Sequence, residues 1–572
     1  MQRDIALENQ RACELIIDQL VQQGVHYFCI SPGSRNTPLV LAVANHPAAK
    51  SFLHFDERAL GFHALGYAKA SKTPVAIIVT SGTAVGNLFP AVMEASLSFV
   101  PIIVLTADRP PELRDNGSNQ TLDQVKLFGD YVRWEVDLPP PDHNHVDNYL
   151  RSTIAQALIH CNQSPKGPVH LNCMFREPLV SSSRLVFSHP TRLQIGETFT
   201  LPSPKTLESW AEEMSCEEKG VIIVGSLSTT RSLEPICDLA ERLGWPIFAD
   251  VTSNLRSVGS HNNIIPYFDA ILKGNPEIKP DVILHLGDRY VSKTLRLWLA
   301  RCAPKRYYQV KDHPMRADPE HLVTQTLQCD PVLFSQQLLP FFSNTVGEWL
   351  HFWREQSARI EGQLDDIFAE KEELSEPYLF YFLAQHAHDK LGLFVANSMP
   401  IRDADNFFFP KQSFGPLFAN RGVSGIDGNI ATAVGAAQGC GLPIVAVLGD
   451  LTSLHDLTSL AQLKKAKHPL ILIIVNNDGG AIYSFLPIAQ KSKSVEEYFA
   501  LPHGYSFEEA ARLFGIYYAA PKTREDFEDL LLRAINYKES CVIEITTNRS
   551  ENYAFHKKIA DEVCSLTAEQ AF

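Results

Sequence analysis

The sequence has no Cys-x-x-Cys pair, no long apolar run, and neither of the glycine-rich phosphate loops GxGxxG and GxxxxGK[ST]. Each absence removes a class of protein. Without a glycine-rich fingerprint, neither nicotinamide binding nor P-loop phosphoryl transfer has a motif behind it. The eleven cysteines are scattered, with no His/Cys spacing suited to zinc, and read as free thiols in a reducing compartment. The longest apolar runs, such as Pro469–Val475, fall far short of the roughly 20 residues that a membrane helix needs. The first residues, Met1-Gln2-Arg3-Asp4-Ile5-Ala6-Leu7-Glu8, lack the apolar core of a signal peptide. A soluble cytoplasmic protein is the expectation. Positive charge is also scarce: 51 Lys and Arg against 65 Asp and Glu leave a net charge of −14. Such a surface repels nucleic acids and anionic membranes. Small acidic substrates remain open, because a local cluster of arginines outweighs a distant acidic surface.

What is present is ordinary globular composition, 45% hydrophobic and 20% charged, in a chain of 572 residues. That length is too great for one core and predicts three domains, or four. Short β-branched runs recur, each followed by small or acidic residues and then a helical pattern. They are Val75–Val79, Ile102–Leu105, Val221–Val224, Val282–Leu286, Ile444–Leu448 and Leu470–Val475. Runs apolar on both faces read as buried parallel strands, and their alternation with helices predicts doubly wound α/β sheets. Ligands bind at the carboxyl ends of such strands. Two stretches read as linkers: a Ser/Thr/Pro-rich one around 180–205, and a charged helical pattern around 343–375. Three α/β domains are therefore expected at 1–185, 200–340 and 375–572. Their similar size hints at duplicated architecture, although no repeat is visible in the residues.

Gly449-Asp450-Leu451 closes one apolar run, and Asn476-Asn477-Asp478-Gly479-Gly480 closes the next. The separation, 477 − 450 = 27 residues, is about one helix plus one strand, so the two loops should lie side by side at a sheet edge. A hard cation such as Mg²⁺ takes oxygen ligands. Asp450, Asn477 and the carbonyl of Gly479 supply a carboxylate, an amide oxygen and a backbone oxygen. Either turn alone reads equally as a polar helix cap. The pair at this spacing resembles the diphosphate and magnesium motif of thiamine-diphosphate enzymes.

In those enzymes a carboxylate against N1′ of the aminopyrimidine activates the cofactor. Glu57, in His54-Phe55-Asp56-Glu57-Arg58-Ala59-Leu60-Gly61, stands where the family places that glutamate, ahead of a helix with Gly and Ala at close-packed positions. Taken by itself, the acidic pair is also a macrodipole complement at a helix start. Glutamate early and Gly-Asp late is the pyruvate-oxidase-like order, the reverse of transketolase. The chain has no adjacent His-His pair of the pyruvate-decarboxylase kind.

A narrower resemblance is to the 2-succinyl-5-enolpyruvyl-6-hydroxy-3-cyclohexene-1-carboxylate (SEPHCHC) synthase family. It is carried by Ser31-Pro32-Gly33-Ser34-Arg35-Asn36-Thr37-Pro38-Leu39 and Thr106-Ala107-Asp108-Arg109-Pro110-Pro111-Glu112-Leu113-Arg114, with Asn119-Gln120 close behind. Asn397-Ser398 with Arg402, and Asn420-Arg421-Gly422-Val423-Ser424-Gly425-Ile426-Asp427-Gly428, complete it, so it runs from about residue 10 to about 490. The resemblance implies thiamine diphosphate and Mg²⁺, with Mn²⁺ able to substitute, and the substrates 2-oxoglutarate and isochorismate. It implies a homodimer or a dimer of dimers with the active site between chains. It places Glu57 as the catalytic carboxylate and Ser398, Met399, Ile426, Asp450, Leu451, Thr452, Asn477, Gly479 and Ile482 at the cofactor. Ile426 would be the apolar wedge that bends it. Ser34, Arg35, Arg109, Asn119, Gln120, Lys293, Arg402 and Arg421 would hold substrate. Each substrate carries two carboxylates, and arginine binds carboxylates through paired hydrogen bonds. Thr294 stands where relatives often have Arg, which leaves one contact in the middle domain open. A thiamine enzyme of other specificity, such as a 2-oxoacid decarboxylase or an acetohydroxyacid-type ligase, and a non-catalytic homologue are the competing readings.

Overall fold

The computed structural model describes residues 4–142, 147–181, 195–196, 198–343, 347–492, 494–537 and 539–568. Most of the expected linker at 180–205 lies outside them. The first sheet comprises β1 (Tyr27–Ile30), β2 (Lys50–Leu53), β3 (Val75–Val79), β4 (Ile102–Asp108), β5 (Trp134–Leu138) and β6 (Val169–Met174). The second comprises β7 (Gly220–Val224), β8 (Ile247–Ala249), β9 (Val282–Leu286), β10 (Arg306–Lys311) and β11 (Gln325–Gln328). The third comprises β12 (Gly392–Val395), β13 (Leu417–Phe418), β14 (Ile444–Gly449), β15 (Leu470–Asn476), β16 (Tyr517–Ala519) and β17 (Cys541–Thr546). Pairing is parallel in all three, as in β3 on β4, β7 on β9 and β15 on β17. The apolar runs singled out in the sequence are all strands of these sheets.

Strand order in the first sheet is β2-β1-β3-β4-β6-β5, and in the third β13-β12-β14-β15-β17-β16. These are the same permutation, so the two sheets share a topology that the residues do not betray. The second sheet runs β11-β10-β9-β7-β8.

Two compact units contain these sheets. One is Met1–Glu197 with Asn420–Gly441 and Thr452–Leu470; the other is Thr198–Ala419 with Leu442–Leu451 and Ile471–Phe572. In the first unit the alternation along β3 decides the packing. Val75, Ile77 and Val79 face one cluster with Leu60, Ala64 and Val92, while Ala76 and Ile78 face another with Ile16, Leu20 and Ile154. Each fully buried side chain of this size contributes about 1.5–3 kcal/mol.

The helix Glu57–Ser71 crosses the helix Asn429–Cys440 at unusually close range. A Cβ on Gly66 would stand 2.0 Å from the Thr432 carbonyl oxygen, and one on Gly435 2.0 Å from that of His63. Gly428, at φ 62°, lies against the Phe62 ring. Only residues without a side chain allow backbones this near. Beneath the crossing, buried His63 is held neutral: its Nδ1 donates to Gln462 Oε1 (2.9 Å), and Tyr27 donates to its Nε2 (3.1 Å). Phe52 stacks on its ring at 3.6 Å. Burial lowers its pKa from 6.5 to about 3, against the raising effect of the Gln462 hydrogen bond.

In the second unit the helix Glu348–Glu370 is more than the linker expected there. Trp349, Phe352, Trp353, Ile360, Leu364, Ile367 and Phe368 are buried in a core shared with β7 and β15. Their spacing forms the apolar stripe of an amphipathic helix, which its high charge obscures. All eleven cysteines are free thiols. Among the described residues, no helix is long and apolar enough to cross a membrane.

Two outcomes follow from this packing. Gly435→Ala gains about 1 kcal/mol of helix propensity, but its Cβ meets backbone. The overpacking cost of about 1–3 kcal/mol prevails, so the thermal unfolding midpoint falls; a rise would contradict the close crossing. For His63, the folded pKa lies below the unfolded one, so the stability its neutral form contributes is full above pH 6.5 and is lost as pH falls toward 3. At pH 5 the loss is about 2 kcal/mol. Unfolding midpoints measured from pH 7 to 4.5 should decline less steeply in His63→Gln than in the parent, and parallel slopes would refute the assignment.

Candidate functional site

In the first unit the loops after β1, β3 and β4 meet at the carboxyl edge of the sheet. Gly33 makes this possible, since a Cβ there would stand 2.4 Å from Thr80 Cβ. Buried Ser31 donates from Oγ to Glu57 Oε1 (3.1 Å). Glu57 is half-buried and opens its helix directly after Asp56, whose side chain caps Ala59 N (3.2 Å). Thr458 donates to the other Asp56 oxygen at 2.8 Å.

Arg35 and Arg109 are both buried at this edge, at 7% and 9% exposure. Arg35 donates to the Phe175 carbonyl (3.0 Å) and to the exposed carboxylate of Glu177 (2.8 Å). Arg109 donates to Ser81 Oγ and to the Gln120 carbonyl (3.2 Å). Among the described residues it has no carboxylate within ion-pair distance. Burial, and then the like charge of Arg35, lower its pKa. Arg35 already has the Glu177 carboxylate, so Arg109 is the guanidinium at this edge that an incoming carboxylate would relieve, through paired hydrogen bonds. Gln120 closes it from the side, donating to the Ser81 carbonyl at 3.0 Å, from a left-handed backbone at φ 55°. Ser34 and Asn119 are exposed at its rim.

Arg421 and Ile426 lie in the loop 420–428 of the same unit. Buried Glu94 fixes that loop, accepting from Gly422 N (2.9 Å) and Val423 N (2.8 Å). Lys69 bridges Glu94 (3.2 Å) and Asn420 (2.9 Å). Burial alone would raise the Glu94 pKa, but Lys69 and three hydrogen bonds, from Ser98, Val423 and Gly422, hold it below its ordinary value. Ile426 is 38% exposed, a large apolar side chain presented from a rigid loop.

In the second unit the loops after β14 and β15 lie side by side. Asp450, 2% exposed, opens the helix Asp450–His455. Its Oδ2 accepts from Asn477 N (3.2 Å) and Gly479 N (2.8 Å), and its Oδ1 from Leu451 N (2.6 Å). Burial raises its pKa against these donors. His503 Nε2 stands 3.3 Å from Oδ2. Gly479 has φ 126°, and a Cβ there would meet the Ala500 carbonyl at 2.1 Å. Thr452 follows Leu451 in the helix and is buried.

The Asn477 amide is the most informative group. Its Nδ2 donates to Glu376 Oε1 at 2.9 Å, while Oδ1 is buried with no hydrogen-bond partner among the described residues. An orphaned buried oxygen is costly, and a cation removes the cost. Among the described residues no group of three His, Cys, Asp or Glu could hold a metal. The set here is a carboxylate, an amide oxygen and a backbone carbonyl, which leaves room for phosphate oxygens and suits Mg²⁺ or Mn²⁺.

Four further sequence candidates meet elsewhere in this unit. Lys293, Met399, Arg402 and Ile482 line a cavity of about 540 Å³, with Thr294 and His556 also in its wall. Arg402 sits in the helix Met399–Phe407, not in a loop, and donates to the Ser398 carbonyl from beneath. Ser398 itself holds φ 73°.

Sequence reasoning missed Glu376, His503, Ser81 and Glu94. Glu376 in Ser375-Glu376-Pro377 reads as an ordinary acidic helix start, and His503 lies in a loop without periodicity.

The comparisons with known proteins agree on a class. The descriptions "Thiamine pyrophosphate enzyme, N-terminal TPP binding domain", "Middle domain of thiamine pyrophosphate" and "Thiamine pyrophosphate enzyme, C-terminal TPP binding domain" match residues 10–127, 197–395 and 406–545. The fold is shared with a benzoylformate decarboxylase from Polynucleobacter necessarius (TM-score 0.75, 17% identity, covering 94% of this chain and 99% of that one). A 4-hydroxybenzoylformate decarboxylase from Rhodococcus jostii is similar at TM-score 0.74 and 18% identity, with coverage of 94% and 99%. In sequence, the SEPHCHC synthase of Rubrobacter xylanophilus is 39% identical over 95% of this chain and 96% of its own length. That of Salinibacter ruber is 40% identical over 96% of each. The chain belongs to the SEPHCHC synthase family of thiamine-diphosphate enzymes.

Proposed function

We propose that this chain joins 2-oxoglutarate to isochorismate with loss of CO₂, giving SEPHCHC on the way to menaquinone or phylloquinone. The observation that carries the reading is the end-to-end likeness to SEPHCHC synthases, which extends over 95% of the chain at 39% identity. Thiamine diphosphate, when bound, supplies the electron sink for decarboxylation of a 2-oxoacid. Asp450, Asn477 and the Gly479 carbonyl hold Mg²⁺, for which Mn²⁺ can substitute. Ser398, Met399, Ile426, Leu451, Thr452 and Ile482 contact the cofactor, with Ile426 as the wedge beneath it.

Glu57 keeps a proton at N1′ of the pyrimidine, and Ser31 aims it. Arg35 and Arg109 bind carboxylate at the edge of the first sheet, assisted by Ser34, Asn119 and Gln120. Lys293, Arg402 and Arg421 bind the remaining carboxylates and orient the acceptor. The domain limits are 1–185, 200–340 and 375–572. The enzyme works in the cytoplasm as a homodimer or dimer of dimers, and the cofactor is shared between two copies of the chain.

Two outcomes test this. Glu57→Gln should lower turnover by at least about 10²-fold, the lower range for a general acid–base group, while calorimetric titration still detects binding of thiamine diphosphate. Near-normal turnover refutes the role. Light scattering of the active enzyme should give at least a dimer, and an active monomer of 63.8 kDa would overturn the shared site.

A further inference from the structure

An amide side chain is nearly symmetric in shape and opposite in chemistry at its two ends. Oxygen ligates a cation, whereas NH₂ repels one, and a half-turn exchanges them. Whatever sets that half-turn at Asn477 therefore decides whether a cation site exists.

The Asn477 backbone is held on both sides. Its N donates to Asp450 Oδ2 (3.2 Å), and its carbonyl accepts from Arg549 Nη1 (3.1 Å). The side-chain torsion is the freedom that remains. Nδ2 donates to Glu376 Oε1 at 2.9 Å, and Thr547 Oγ1 donates to the same oxygen at 2.9 Å. Two donors converging on one oxygen mark it as an acceptor, wherever a proton sits on the other. Glu376 is 3% exposed at the start of the helix Glu376–Gln385, so its own carboxyl has little freedom to turn. Opposite it, Asn477 Oδ1 is left buried and unpartnered among the described residues.

We propose that Glu376 is the positioning residue of the cation site: by taking Nδ2 it fixes the Asn477 amide with Oδ1 toward the ion. This rests on the reading of Asn477 as a cation ligand. Glu376 acts on the site through Asn477. Outer-shell groups of this kind typically govern metal affinity by about 10–100-fold. Glu376→Gln keeps an acceptor oxygen for Nδ2, while Glu376→Met keeps the volume and removes it.

The test is Mn²⁺ titration of the full chain with thiamine diphosphate, with free Mn²⁺ read by electron paramagnetic resonance. Far-UV circular dichroism and the unfolding midpoint monitor the fold. The expected result is that Asp450→Asn loses Mn²⁺ binding, Glu376→Met weakens it about 10–100-fold, and Glu376→Gln stays close to the parent. If Asp450→Asn binds Mn²⁺ like the parent, the site reading fails and the proposal with it. If Asp450→Asn loses binding while Glu376→Met keeps it, or Gln loses as much as Met, the site stands and the role of Glu376 is overturned. Should the Met variant not fold, a crystal structure of the parent with Mn²⁺ decides. Oδ1 on the ion with Nδ2 on Glu376 upholds the proposal, and an amide beyond hydrogen-bond distance of Glu376 overturns it.

Discussion

The near contact of backbone with backbone between the helices Glu57–Ser71 and Asn429–Cys440 constrains everything around the candidate residues of the first unit. Glycines at 66 and 435 remove the side chains that would hold the two helices apart. The two chain directions run together, with Phe62 against Gly428 and Tyr67 against Gly439. The helix starts therefore lie toward the same end. One start carries Glu57, and the other carries the loop that presents Ile426. The placement of the Glu57 carboxylate and of the exposed Ile426 side chain is thus set by a packing distance. Buried Glu94 and Lys69 stiffen the same loop at the cost of two desolvated charges, a cost offset by their ion pair and by three hydrogen bonds to the carboxylate from Ser98, Gly422 and Val423.

The second unit works by a different device. Asp450 gathers three backbone N–H groups from two loops and so fixes the spacing between the ends of β14 and β15. Its own burial disfavours the charge, which makes it receptive to a cation. Asn477 adds an oxygen that the protein leaves bare. The arginine pair on the other unit shows the same logic with the sign reversed: Arg35 and Arg109 are held close enough to disfavour each other. Arg35 is paired with Glu177, so among the described residues the groups left uncompensated are Asn477 Oδ1 and the Arg109 guanidinium. Such unsatisfied groups distinguish a site from a structural ion pair.

Much of this was legible in the residues. Runs such as Val75–Val79 and Ile102–Leu105 became strands because both faces are buried, which favours apolar residues at every position. Asp450 and Asn477 were legible because their spacing equals one helix and one strand. What was hidden was hidden for physical reasons. Glu376 lies 101 residues from Asn477, and nothing local marks its partner. The helix Glu348–Glu370 carries enough charge to look like a linker, although its apolar stripe enters the core. The shared topology of the first and third sheets is a property of strand order, which similar apolar runs do not encode.

The most direct test of the account is a spectrophotometric assay of isochorismate consumption with 2-oxoglutarate, thiamine diphosphate and Mg²⁺, omitting each component in turn. The account predicts that consumption stops with every omission. Release of CO₂ from 2-oxoglutarate with isochorismate untouched would contradict the carboligase assignment, and consumption without thiamine diphosphate would contradict the reading of the site itself.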